Sequence, residues 1–254
     1  MTPIPTEAEQ ANVCETEIPL PPRGEDLPCD DGQPLETARH RLAMNLLIDS
    51  ISHYWRDRND VYVGGNMFIY YSSQQARNQD FRGPDFYAVF DVDGTVSRKS
   101  WVVWEENGRY PDVIIELMSP STARVDRNEK KQIYQRIFRT ADYFVFDPYD
   151  ENSLQGWHLV GNEYIPIEKQ NNGWMWSESL GLWLGTWWGK ILQEETHWLR
   201  FYTPEKTLVL LDHEEARQEA QQAKQEAETA KQETRELAEK LKRYQEQFGE
   251  LEES

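Results

Sequence analysis

The sequence predicts an α/β domain, a mixed sheet flanked by helices, that continues into a C-terminal heptad helix. Three observations carry that prediction. Short apolar runs bounded by turn residues alternate with helical segments between about residues 35 and 167. One of those runs, PDVIIELMSP (111–120), holds carboxylates among apolar neighbours, and the helix after it turns a lysine inward. From about Glu214 the texture changes to an Ala/Glu/Gln/Lys-rich stretch whose small and apolar residues recur in alternating steps of four and three.

Taken in order, residues 1–33 are rich in proline and acid, with Pro19, Pro21 and Pro22 followed by Glu25, Asp26, Asp30 and Asp31. Such a segment buries too little apolar area to offset its ordering entropy, so a disordered acidic arm is expected. A helix is expected from about Leu35 to Tyr54, with Leu42, Leu46 and Tyr54 at helical spacing and Leu47 and Ile51 beside them. Val61 to Ser72 contains Gly64-Gly65, which suggests a turn between short strands. In Asp85 to Val92, Phe86, Ala88, Phe90 and Val92 share one face, and Asp85, Tyr87, Val89 and Asp91 the other. Ser100 to Met118 reads as a hairpin about Asn107-Gly108. A helix from about Arg127 to Arg139, a buried strand from Tyr143 to Pro148 and a hairpin about Gly161-Asn162 follow. The tryptophans from Trp174 to Trp188 read as strand and loop packed on the core rather than as a base-stacking platform.

Composition bounds the rest. The chain has 254 residues, 38% hydrophobic and 28% charged, with a formal net charge of −18. No run approaches the roughly 18 apolar residues of a membrane span. The start has neither a basic nor an apolar stretch of the signal-peptide kind, so a cytoplasmic protein is expected. Cys14 and Cys29 make no metal motif. A protein that grips DNA by its phosphates shows a basic footprint; here any such footprint must be local.

Phosphodiester hydrolysis needs carboxylates to hold a hard divalent cation, a cation that activates water, and usually a protein ammonium nearby. In 112–118, Asp112, Ile114, Glu116 and Met118 share a face. A lone mid-strand Glu116 is costly to bury without a partner. Lys130 lies one turn before Tyr134, on the side continued by Ile133, Ile137 and Phe138, and so points inward. Asp112 reads either as a metal contact or as a strand-initiating turn cap. Asp126 reads as a helix N-cap ahead of a ligand, and His40 as a helix-surface residue ahead of one facing the site.

Pro84-Asp85, then PDVIIELMSPST (111–122), DRNEKKQIY (126–134) and ADYFVFDP (141–148) together resemble the Uma-type restriction endonucleases, within the PD-(D/E)XK nuclease superfamily. The resemblance spans about Leu35 to Leu211. It implies a restriction-endonuclease-like mixed sheet with the active site at the sheet's edge. It implies Asp85 and Glu116 as metal ligands, with Asp112 a further candidate. The superfamily lysine, two residues beyond the acid, is replaced by Met118, and Lys130 is expected to substitute from the helix. The expectation is an Mg²⁺-dependent DNA endonuclease, with Mn²⁺ able to substitute. Its domains are an arm (1–33), a nuclease-like unit (34–212) and a coiled-coil helix (213–254), which reads either as a homodimer seam or as a single helix, solvated or folded onto its own domain. The rival is a catalytically inactive nuclease-fold scaffold that oligomerises through the coil.

Overall fold

A computed structural model of the chain describes residues 20–28, 37–72 and 81–249. Its centre is a six-stranded sheet ordered β1-β3-β5-β6-β7-β8. The strands are β1 (Val61–Gly64), β3 (Phe86–Phe90), β5 (Val113–Leu117), β6 (Asp142–Asp147), β7 (Asp150–Val160) and β8 (Glu163–Pro166). The β5–β6 pair is parallel and the other pairs are antiparallel. A parallel pair needs a crossover, and helix α2 (residues 123–138) supplies it.

Both faces of the sheet are covered, which is why β5 is buried along its whole length. One face packs against α1 (Ala38–Tyr54) through Leu46, Leu47 and Ile51. The same core includes Leu182, Leu184, Trp198 and Phe201 of a three-stranded sheet. That sheet is β9 (Met175–Ser177), β10 (Leu182–Ile191) and β11 (Glu194–Tyr202). Phe86, Ala88, Val113, Ile115 and Leu117 belong to this side. Tyr87, Val89, Ile114 and Met118 belong to the other side, with Tyr134 and Phe138 of α2. Thr37 caps α1, its hydroxyl accepting from the His40 amide. Tyr54 is 43% exposed and does not join the core, so the inward face of α1 ends at Ile51 and Trp55.

The hairpin expected over 100–118 is not formed. Asn107 and Gly108 do turn, with φ of 53° and 77°, but they close a helical turn in which the Gly108 amide donates to the Val103 carbonyl. The two flanks part company. β4 (Trp101–Val102) pairs in parallel with β2 (Ile69–Tyr70), while β5 has both edges taken by β3 and β6. Residues 20–28, assigned to the arm by composition, are held against this small sheet. Trp104 donates to the Pro22 carbonyl and Tyr70 to the Pro28 carbonyl. The rest of the expected disordered arm, with Cys14 and Cys29, lies outside the described residues.

The tryptophans mostly pack: Trp174 stacks on Tyr202 with ring centroids 3.8 Å apart, and Trp176 meets Trp183 edge-on, while Trp188 is exposed. Helix α3 (Asp212–Phe248) leaves the domain from the buried Val209 and Leu211. Among the described residues no helix is long and apolar enough to cross a membrane.

Candidate active site

Strand parity brings the two carboxylates together. β3 and β5 pair as Phe86↔Ile115 and Tyr87↔Ile114; one further step sets Asp85 opposite Glu116. Both then point to the α2 side of the sheet. Asp85 Oδ2 accepts from the Leu117 amide at 2.7 Å, and Asp85 and Glu116 line the same cavity. Gly65 lets the chain before β3 pass close to β1: a Cβ at 65 would lie 2.2 Å from the Asp85 carbonyl oxygen. The pair sits at the ends of two central strands rather than along an edge strand, because β1 and β6 flank it on either side.

Helix α2 supplies the cation. Residues four apart drift by about 40° per step on a helix of 3.6 residues per turn. Much of α2 instead has wide π-type turns, with i→i+5 bonding, which keeps a four-residue spacing more nearly in line. Asp126, Lys130, Tyr134 and Phe138 therefore all face the sheet. Lys130 Nζ lies 2.9 Å from Glu116 Oε2 and 2.8 Å from Asp126 Oδ1. Tyr134 donates to Glu116 Oε1 at 2.7 Å. Tyr143, from β6, donates to the Asp126 carbonyl at 2.8 Å.

Asp85, Glu116, Asp126 and Lys130 line a cavity of about 110 Å³ together with His40. A larger groove of about 410 Å³, lined by Asn66, Phe68 and Arg82 among others, shares Gly83 and Lys130 with it. Burial raises the Glu116 carboxyl far above the ordinary range; Lys130 pulls it down, and Asp85 and Asp126 push it up again. Asp85 is raised for the same first reason, burial, with Lys130 and the Leu117 amide opposing. For Lys130, burial works against the ammonium, but Glu116, Asp126 and Asp85 outweigh it and hold it charged. Burial and Glu116 keep Tyr134 a neutral donor.

Asp85, Glu116 and Lys130 are thus brought together, and Asp112 is not. Four residues along a strand separate it from Glu116, roughly 13 Å, and its carboxylate accepts from the Phe90 amide at 2.8 Å with Arg109 at 3.5 Å. That distance is too great for one cation to bridge to Glu116. Sequence reasoning did not assign three neighbours to the site. His40 is buried, its Nε2 3.1 Å from the Met118 carbonyl. Asp126 is not an N-cap but a buried partner of Lys130. Tyr134 was placed on the inward side without its bond to Glu116. The signal available for Asp126 was its four-residue spacing to Lys130.

Residues 17–191 match the model of the Uma2 family, described as "Putative restriction endonuclease". The chain belongs to the Uma2 family. Membership supports a nuclease. Among solved structures, one described as a "putative nuclease belonging to DUF820" from Anabaena variabilis ATCC 29413 is similar at 12% identity. Its TM-score is 0.42, over 58% of this chain and 76% of that one. No curated protein matches the chain. Met118, at the position where the PD-(D/E)XK pattern carries a lysine, has a wholly buried side chain.

Proposed function

We propose that this Uma2 protein is a divalent-metal-dependent DNA endonuclease of the cytoplasm, with 34–212 as its nuclease unit. The observation that carries the reading is Lys130 Nζ 2.9 Å from Glu116 Oε2, an ammonium delivered by α2 where the strand itself holds Met118. Asp85 and Glu116 would hold the cation, Mg²⁺ or in its place Mn²⁺. Among the described residues no three His, Cys, Asp or Glu side chains form a ready metal cage. A cavity-lining carboxylate pair still fits Mg²⁺, which commonly takes one or two carboxylates and keeps water and phosphate as its other ligands. When bound, the cation supplies an activated water and neutralises charge at phosphorus.

The chain's own groups do the rest. Lys130 orients the attacking water or neutralises the transition-state phosphoryl charge. Asp126 aims Lys130, and Tyr134 fixes the Glu116 carboxylate. The 410 Å³ groove leading to Lys130 offers a path for a nucleic-acid strand. A homodimer formed through α3 would suit cutting both strands of a duplex, whose own pseudo-twofold symmetry it matches.

The test is nicking of supercoiled plasmid with Mg²⁺ or Mn²⁺. Glu116→Ala and Lys130→Ala are each expected to slow cleavage on the order of 100-fold or more. Equal rates in all three proteins would place the activity elsewhere. One observation favours the scaffold reading: Lys130 is already engaged by two carboxylates. A wild-type protein that binds plasmid without nicking it under either metal would establish that reading.

A further inference from the structure

We propose that α3 pairs with α3 of a second copy of this chain as a parallel, in-register coiled coil. This deepens the homodimer proposed above and rests on it, but not on catalysis. The seam runs through residues 216, 220, 223, 227, 230, 234, 237, 241 and 244, with 216 a d position and 220 an a position. Its large members, Leu237, Leu241 and Tyr244, are 65%, 56% and 64% exposed. The alanines of its first half specify little, so the flanking charges must choose the orientation.

Those charges are sorted. Over 217–233 the g positions hold Glu219, Glu226 and Glu233 and the e positions hold Arg217, Lys224 and Lys231; the next e and g positions, Ala238 and Lys240, leave that pattern. In a parallel, in-register pair each g residue faces the e residue five positions on. Glu219 then meets Lys224 of the partner subunit, and Glu226 meets Lys231 of the partner subunit. In a fully overlapped antiparallel pair g faces g and e faces e. Glu226 would then meet Glu233 of the partner subunit, and Lys231 would meet Lys231 of the partner subunit. Only Glu219 would find an opposite charge, Lys240 of the partner subunit. Among the described residues none of Glu219, Lys224, Glu226 and Lys231 makes an ion pair within its own chain.

The root of the helix is fixed to the domain. Arg200, wholly buried, donates to Glu214 at 2.7 and 3.1 Å and to the Val209 carbonyl at 2.8 Å. Glu215 is held by His53 at 2.8 Å and Arg56 at 3.3 Å. The 37-residue helix is about 55 Å long. A parallel coil therefore sets both domains at one end, where two sites can reach one duplex; an antiparallel coil would hold them about a helix length apart.

The experiment uses the full chain with Cys14→Ser and Cys29→Ser. Light scattering should give twice the 30.0 kDa chain mass. Oxidation of an added Tyr244→Cys should yield a covalent dimer, since residues 244 meet only in the parallel pair. Glu219→Lys with Glu226→Lys, and separately Lys224→Glu with Lys231→Glu, should each raise the dimer–monomer midpoint at least tenfold. Mixing the two variants should restore a dimer of one chain each. A 30.0 kDa species at every concentration overturns the dimer itself. A dimer that neither cross-links at 244 nor responds to the reversals overturns the orientation alone.

Discussion

Lys130 stands between two wholly buried carboxylates, and its removal isolates the effect of charge from that of shape. In Lys130→Met the stem remains and the ammonium goes, leaving Glu116 and Asp126 unpaired. Removing one member of a buried pair costs about 3 kcal/mol or more, unless the survivor takes up a proton. Glu116 already holds its proton well above the ordinary range with Lys130 opposing, so without Lys130 it stays neutral to higher pH still, and the loss should grow from about pH 7 to about pH 10, read by urea unfolding at both. The wild type follows the same linkage more weakly. Asp85 and Glu116 have folded pKa values above their unfolded ones. Their contribution to stability is whole below the unfolded pKa and is lost as pH rises through the folded one. Metal-free protein should therefore weaken from about pH 4 upward, and Mg²⁺ should release protons on binding near neutral pH. Calorimetry in buffers of different ionisation enthalpy would detect that release; its absence would mean that the carboxylates are already ionised or are not the ligands.

At the scale of elements, α2 both reaches into the site and faces outward. Its outer side exposes Arg124, Arg127 and Arg136, and residues 121–140 carry six basic and two acidic side chains. If the protein grips DNA, the exposed arginines of this helix are the local footprint that the net charge conceals. Arg124→Ala with Arg127→Ala should leave unfolding unchanged and weaken duplex binding. If each arginine meets one phosphate, the slope of log K against log salt should fall by about 2. An unchanged slope would show both to be merely solvated. Much of this arrangement was legible in the chain. Alternation put Asp85 with Tyr87 and Glu116 with Ile114, and the facing of those two sets needed only the β3–β5 register. Lys130 was legible from helical phase. The failures were non-local: Trp101–Val102 pairs with Ile69–Tyr70 across some thirty residues, and a turn signal at Asn107-Gly108 cannot tell a hairpin from a helical turn. His40 reads as a surface residue because a histidine on a helix is commonly exposed, yet its spacing from Ala43, Met44 and Leu47 sets it on the buried face, where the Met118 carbonyl gives its ring a partner.

For the whole molecule, the distribution of charge matters more than its sum. Of the net −18, residues 1–33 hold eight acids and one base, and residues 213–254 hold twelve acids and seven bases. The 179 residues between them carry 25 acids against 19 bases, a net of −6. Two-thirds of the excess therefore lies in the flanks, outside the stretch of sequence from His40 to Lys130 that lines the cavity. Residues 20–28 are tied to the small sheet through Trp104 and Tyr70, so cutting before Leu20 spares those contacts. It removes Glu7, Glu9, Glu15 and Glu17 and no basic side chain. Charges separated by more than about 10 Å act only while salt is low. If these four repel a nucleic-acid polyanion, deletion of 1–19 should tighten duplex binding several-fold at about 0.02 M salt and leave it unchanged at about 0.5 M. Fluorescence anisotropy across that range would show two curves converging. Curves that stay parallel would mean that the segment acts by contact, and coincident curves would mean that it does not meet the DNA path at all.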